Sequence, residues 1–233
     1  RIAKILRNDL ASEEAFECLH FLSLEAVSVA KNVCDHIGTS HLSNLLNAED
    51  DWDINTKVKC LEQVASISTT TFSELFDTLD LAALAAECAH VGGHAQLFGL
   101  LALTSQQGRA RFVKGMDPER LGMRLSRRGW PNEKRQMVKA LVDCDPLFAV
   151  KVCRNLLLCD TSYSPQWWER GFWSEFIGYV CSIDSESGKS LLRQATIDGL
   201  AHEASAEPEL LLEPLCQIGS VDAKIATYIC KAL

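Results

Sequence analysis

Apolar residues recur along the chain at helical spacing. Leu147, Val150, Cys153, Leu156 and Leu157 trace one helical stripe, and Met137, Val138, Leu141 and Val142 trace another. Strand signals are nearly absent, with no sustained alternation apart from Ser66 to Phe72. The pattern predicts an all-α chain.

A longer period lies over the helical one. An apolar pair four residues apart recurs near the ends of short predicted helices: Val33/Ile37, Leu75/Leu79, Phe112/Met116, Val152/Leu156, Arg193/Ile197 and Ile229/Leu233. Successive copies are displaced by 42, 37, 40, 41 and 36 residues. In the fifth copy Arg193 takes an apolar place, so Leu192 is expected to pack instead. Polar openings recur with the pairs, at Ser23, Thr71, Ser105, Asp145, Ser185 and Ser220, and Asp117-Pro118, Asp145-Pro146 and Ser164-Pro165 add cap-plus-proline starts. A Ser, Thr or Asp side chain accepts from the orphan amides of a first helical turn, and proline fits there because it has no donor to lose. Thr71 to Glu74 has the spacing of a capping box.

These signals predict helices over 23–37, 39–47, 53–67, 71–79, 80–90, 92–103, 105–115, 117–128, 131–143, 145–158, 165–183, 185–200, 207–218 and 220–232. Helices of this length are marginal alone in water and must bury their stripes against neighbours. Stacked irregular units of about 40 residues give a right-handed α-solenoid. A single irregular helical domain with fortuitous spacing is the alternative. The expected organisation is a repeat array over 1–160 and further repeats over 161–233, joined by an aromatic-rich helix after a hinge at 160–164. The chain reads as an excerpt of about five or six units from a longer array.

Composition narrows the class. The chain has 233 residues, 47% of them hydrophobic and 23% charged, with only 13 Gly and 6 Pro, which excludes collagen-like and low-complexity classes. No run approaches the roughly 18 apolar residues of a membrane span, and residues 1–30 do not have the form of a secretory signal. The ten cysteines contain no Cys-x-x-Cys pair, so zinc and dithiol motifs are absent. Most stand beside apolar neighbours and read as reduced core filler in a cytoplasmic protein.

The stretch Asp145 to Leu156, together with Leu79 to Leu84 and Met116 to Leu121, resembles degenerate helical repeats of the HEAT/TPR-like kind that accompany bacterial STAND-type signalling NTPases. The resemblance covers residues 70–160 well and the rest loosely. It implies a recognition or assembly arm whose nucleotide site lies elsewhere in a longer signalling or defence protein.

Catalytic signatures are missing. Ser187-Gly188-Lys189-Ser190 has the end of a phosphate-binding loop, but position 183 is Ile where that loop needs Gly, and no strand precedes it. His90 and His94 have metal-pair spacing but enclose Val91-Gly92-Gly93, which reads as a turn, and His36 and His41 flank Gly38 at another helix corner. No cofactor or metal is expected, and a hydrolase whose polar groups converge only in three dimensions is a distant alternative. Charge is more informative. Arg109 to Lys139 carries ten Lys/Arg against three acids, a local +7 in a chain of net −8. Arg120, Arg124 and Arg127 share a helical stripe, Arg135 and Lys139 continue it, and Arg109, Arg111, Arg128 and Trp130 complete the candidate surface. The surface admits three readings: a protein partner, a nucleic acid or phosphorylated ligand with Trp130 stacking on a base, or a solvated face with internal pairs. The first leads. It makes the chain a non-enzymatic interaction or sensor segment, able to oligomerise through its parent protein. A second cluster, Trp167, Trp168, Phe172, Trp173 and Phe176, reads as a core helix or as an interface anchor.

Overall fold

The computed structural model describes residues 12–48, 53–127, 131–158, 172–206 and 208–232. They are mostly helical, with no strand among the described residues. The helices are α1 (Ser12–Glu25), α2 (Val27–Ile37), α3 (Thr39–Ala48), α4 (Ile54–Ile67), α5 (Thr69–Thr78), α6 (Leu81–His90), α7 (Ala95–Leu101) and α8 (Gln106–Lys114). There follow α9 (Pro118–Ser126), α10 (Pro131–Cys144), α11 (Pro146–Cys153), α12 (Phe172–Ile183), α13 (Ser185–Gln194), α14 (Ile197–Ala206), a 3-10 turn (Pro208–Leu211), α15 (Leu212–Val221) and α16 (Ala223–Ala232). The hinge at 160–164 and the residues Trp167 and Trp168 lie outside the described residues, as do Arg128 and Trp130 of the basic window.

Local chemistry sets many of the starts. Asp53, Asp80, Asp117, Asp145, Asp184 and Asp222 each accept from amides two or three residues on, for example Asp145 Oδ1 from Phe148 N at 3.0 Å. Pro118 and Pro146 follow two of these caps at the first helical position. Ser105 caps α8, as its place in the sequence predicts, accepting from Gly108 N at 2.9 Å. Four starts differ from expectation. Ser68, not Thr71, caps α5, while Asp184 and Asp222 cap helices expected at Ser185 and Ser220. Ser23 lies inside α1, and the chain breaks instead at Ala26, which has φ −157° and no side-chain cap.

The chain separates into two compact units: residues 1–88 with 96–116, and residues 89–95 with 117–233. In the first, α1 packs on α2 and α4, α2 on α3 and α4, and α5 on α3 and α4. A phenylalanine chain runs through its core, with ring centroids 5.9 Å apart for Phe72/Phe76 and Phe76/Phe112 and 6.2 Å for Phe98/Phe112. In the second unit, α11 packs on α9 and α10, α12 on α10, α13, α14 and α15, and α16 on α14 and α15. Close approach there relies on small residues. A Cβ on Gly122 of α9 would lie 2.7 Å from the Val152 carbonyl oxygen, and one on Gly178 of α12 would lie 2.8 Å from Pro214 Cα.

The apolar pairs are buried at Val33/Ile37, Leu75/Leu79, Phe112/Met116 and Val152/Leu156. In the fifth copy Leu192 is buried while Arg193 is exposed, as expected, but Ile197, the second member of the pair, is exposed as well. Leu147 departs from the predicted stripe: it sits in the first turn of the short α11 and is 78% exposed, while Phe148, Ala149, Val152 and Cys153 fill the core.

Candidate functional site

The basic window is divided between the units, with Arg109, Arg111 and Lys114 on α8 in the first and the remainder in the second. On α8, Arg111 Nη1 donates to the Asp77 carbonyl oxygen at 3.3 Å. The half-buried Arg109 has its Nε shielded from solvent with no hydrogen-bond partner among the described residues. Ser105 Oγ, 3.1 Å from both Asp77 carboxylate oxygens, ties the start of α8 to α5.

In the second unit the cations divide into two sets. Lys134, on α10, is only 1% exposed. Its Nζ donates to the Ser126 carbonyl oxygen at 2.8 Å, an acceptor left open by the end of α9, and lies 5.0 Å from the Trp173 ring centroid. Arg135 pairs with Glu175 of α12, and its guanidinium carbon lies 5.6 Å from the Tyr179 ring centroid. Both side chains thus fasten α10 to its neighbours. Trp173 and Phe176 meet edge-on at 6.3 Å, with Phe176, Ile177, Val180 and Cys181 buried, so the described part of this aromatic helix serves the core.

The other set faces solvent. Arg120 on α9, Arg127 just past its end and Lys139 on α10 are exposed, and Arg124 on α9 is half-buried. Arg120 Nη2 donates to His90 Nδ1 at 3.0 Å, which requires an imidazole with a lone pair on that nitrogen. Among the described residues no carboxylate lies within ion-pair distance of Arg120, Arg124, Arg127 or Lys139. The Arg120 contact was not legible because His90 lies 30 residues upstream.

The remaining candidates resolve structurally. Gly92 and Gly93 have φ of +85° and +89°, so His90 and His94 stand on either side of a left-handed turn. No group of His, Cys, Asp and Glu among the described residues is arranged to hold a metal ion. At the loop-like Ser187-Gly188-Lys189-Ser190, Asp184 occupies the helix start: its Oδ2 accepts from the Ser187 amide at 3.1 Å and the Ser187 hydroxyl at 2.6 Å. Gly188 is pressed against Cys181, where a Cβ would lie 2.6 Å from the sulfur. A carboxylate and a packed backbone therefore stand where a phosphate would need open amides. Burial pushes the Asp184 carboxyl up, but the Ser187 hydroxyl and amide and the Arg154 guanidinium together hold it below the usual carboxylate range. Burial raises the thiols of Cys34, Cys153 and Cys181 to about 11, 12 and 11, with Asp35 and Asp184 adding to the first two. No helix among the described residues is long and apolar enough to cross a membrane.

Comparison with protein-family models, with curated proteins and with solved structures finds no match to this chain.

Proposed function

We propose that this chain is a non-enzymatic segment of a larger cytoplasmic signalling or defence protein, built as a right-handed α-solenoid, that binds an acidic protein partner through Arg120, Arg124, Arg127 and Lys139. The solenoid reading draws on repetition within each unit. Several polar bridges between chain segments span similar distances in sequence: 30 residues for Lys57–Glu87, Arg120–His90, Arg154–Asp184 and Tyr228–Asp198, 31 for Ser126–Leu157, and 36 for Asp35–Thr71 and Leu158–Gln194. Helices also pack on partners two or three places along the chain, as α12 does on α14 and α15. Stacked repeats contact their neighbours in this way.

The binding reading is carried by the division among the cations. Lys134 and Arg135 are consumed within the unit, while Arg124, Arg127 and Lys139 stand without a carboxylate among the described residues. Arginine's planar fork matches a carboxylate in bidentate fashion, and the chain's net charge of −8 weakens non-specific attraction to nucleic acid. Fluorescence anisotropy with a labelled oligoglutamate peptide and a labelled single-stranded oligonucleotide provides the test. The peptide is expected to bind at low salt and to be lost when Arg120, Arg124 and Arg127 are together changed to Glu. Tighter oligonucleotide binding that collapses steeply with salt would replace the acidic protein with nucleic acid as the partner. Binding of neither probe, or binding indifferent to the reversal, would overturn the assignment.

A further inference from the structure

The outward face of α1 is unusual for a helix in water. Helical spacing groups Glu14, Glu17, Phe21, Leu24 and Glu25 there, opposite the buried Ala15, Phe16 and Leu19. Phe21 is 65% exposed and Leu24 68%, and the exposed Val27 and Val29 carry the apolar surface into α2. Single exposed apolar side chains are ordinary, but these four fall between positions 21 and 29, and contiguous apolar surface marks an interaction site. The charge around them has one sign: α1 contains four glutamates and no lysine or arginine. Lys59 Nζ of α4 stands 3.9 Å from Glu17, but both side chains are at least half exposed, and such a pair is weak.

The basic surface at α9 has the opposite charge in a similar arrangement. Leu121 and Leu125 face the core, and helical spacing sets Arg120, Arg124 and the C-cap Arg127 around Met123 on the outer side, with Glu119 at the edge. Met123 is 44% exposed. A thioether adapts its shape and makes favourable contacts with aromatic rings, and an arginine fork takes a carboxylate in bidentate fashion. Each surface thus offers what the other accepts: glutamates around Phe21 and Leu24 on α1, arginines around Met123 on α9. We propose that the partner of α9 is the α1–α2 corner of a second copy of this chain. The apolar contact supplies attraction that salt does not screen, and the charge pairs supply orientation. The inference rests on the reading of α9 as a surface for an acidic protein and names that protein.

Sedimentation velocity on the full chain, from about 10 µM to about 0.5 mM at low salt, tests the assignment. Reversible association is expected, weakened about tenfold when ionic strength rises from roughly 0.05 M to roughly 0.5 M. Two variants should each be monomeric alone: Phe21→Ser with Leu24→Ser, and the reversal of Arg120, Arg124 and Arg127 to Glu. Mixing them should restore an equimolar complex, because the first keeps α9 intact and the second keeps the corner. The serine variant should also bind oligoglutamate as the parent does. Self-association of either variant alone, or a mixture that stays monomeric while the parent associates, would overturn the proposal. A parent that stays monomeric yet binds oligoglutamate through α9 would overturn this inference alone, whereas neither association nor peptide binding would overturn the reading of α9 as well.

Discussion

Gly122 lies on α9 where that helix meets the end of α11. An alanine there would place its Cβ 2.7 Å from the Val152 carbonyl oxygen, 2.8 Å from Asn155 Cβ and 3.1 Å from the Asn155 carbonyl carbon. Elsewhere in a helix, Gly→Ala stabilises by about 1 kcal/mol because it removes backbone freedom from the unfolded chain and improves helix propensity. At Gly122 two of the three neighbours are backbone atoms, which cannot swing away as a flexible side chain would. Overpacking of this kind costs about 1–3 kcal/mol. Taking the propensity gain from the upper part of that range leaves Gly122→Ala destabilised by about 1–2 kcal/mol. For a chain of this length that lowers Tm by roughly 2–8 °C. Gly219→Ala is the control in the same unit, because its Cβ would meet only Ala226 Cβ at an ordinary 3.4 Å. Gly99→Ala is the control in the first unit, with nothing within 4 Å. Both should raise stability by about 0.5–1 kcal/mol. Calorimetric melts of the three variants beside the parent provide the measurement. A Gly122→Ala protein as stable as the parent, with the controls stabilised, would refute the close approach of α9 to the backbone after α11.

Two further outcomes follow from titrating groups. The Asp184 carboxyl is held below its unfolded value, so its contribution is fully present above about pH 4 and is lost as pH falls through the folded value. Melting temperature should therefore fall less between pH 5 and pH 3 in Asp184→Asn than in the parent, and an identical slope would deny the carboxylate its role at the start of α13. The thiols of Cys34, Cys153 and Cys181 remain protonated well above pH 8, whereas Cys216 and Cys230 are exposed. Mass-spectrometric mapping after brief iodoacetamide treatment at pH 8 should find Cys216 and Cys230 labelled before Cys34, Cys153 and Cys181, with the difference abolished in denaturant; labelling of Cys153 as fast as Cys230 would contradict its burial.

What the sequence makes legible here is local. Asp117-Pro118 and Asp145-Pro146 carry cap and first-turn geometry within a few residues, and both start helices where expected. The apolar pairs are read from spacing alone, and where Arg193 stands at the apolar place the neighbouring Leu192 is the residue buried. Breaks without proline or glycine are not legible. The predicted 23–37 helix divides at Ala26, and the predicted 185–200 helix divides at Ala195 and Thr196, through backbone angles that no side chain announces. The basic window is visible by counting, but its meaning depends on partners 30 or 40 residues away, such as His90 for Arg120 and Glu175 for Arg135. Burial of Lys134 could be guessed only from knowing that Trp173 and the last carbonyls of α9 converge on it.

The left-handed turn at Gly92 and Gly93 has a consequence for dissecting the molecule. A Cβ on Gly92 would touch the Arg124 and Leu125 backbone, and one on Gly93 would touch Met137 and Leu121, so residues 89–95 are an inlaid piece of the second unit carried by the chain between two stretches of the first. A single cut at 116/117 consequently yields no faithful halves. The C-terminal fragment would lose the cover over Met137 and Leu121, and the N-terminal fragment would keep a glycine turn with nothing to rest on. The units can be exchanged or deleted only with both strips of sequence together, which makes this molecule less divisible than its repetitive pattern suggests.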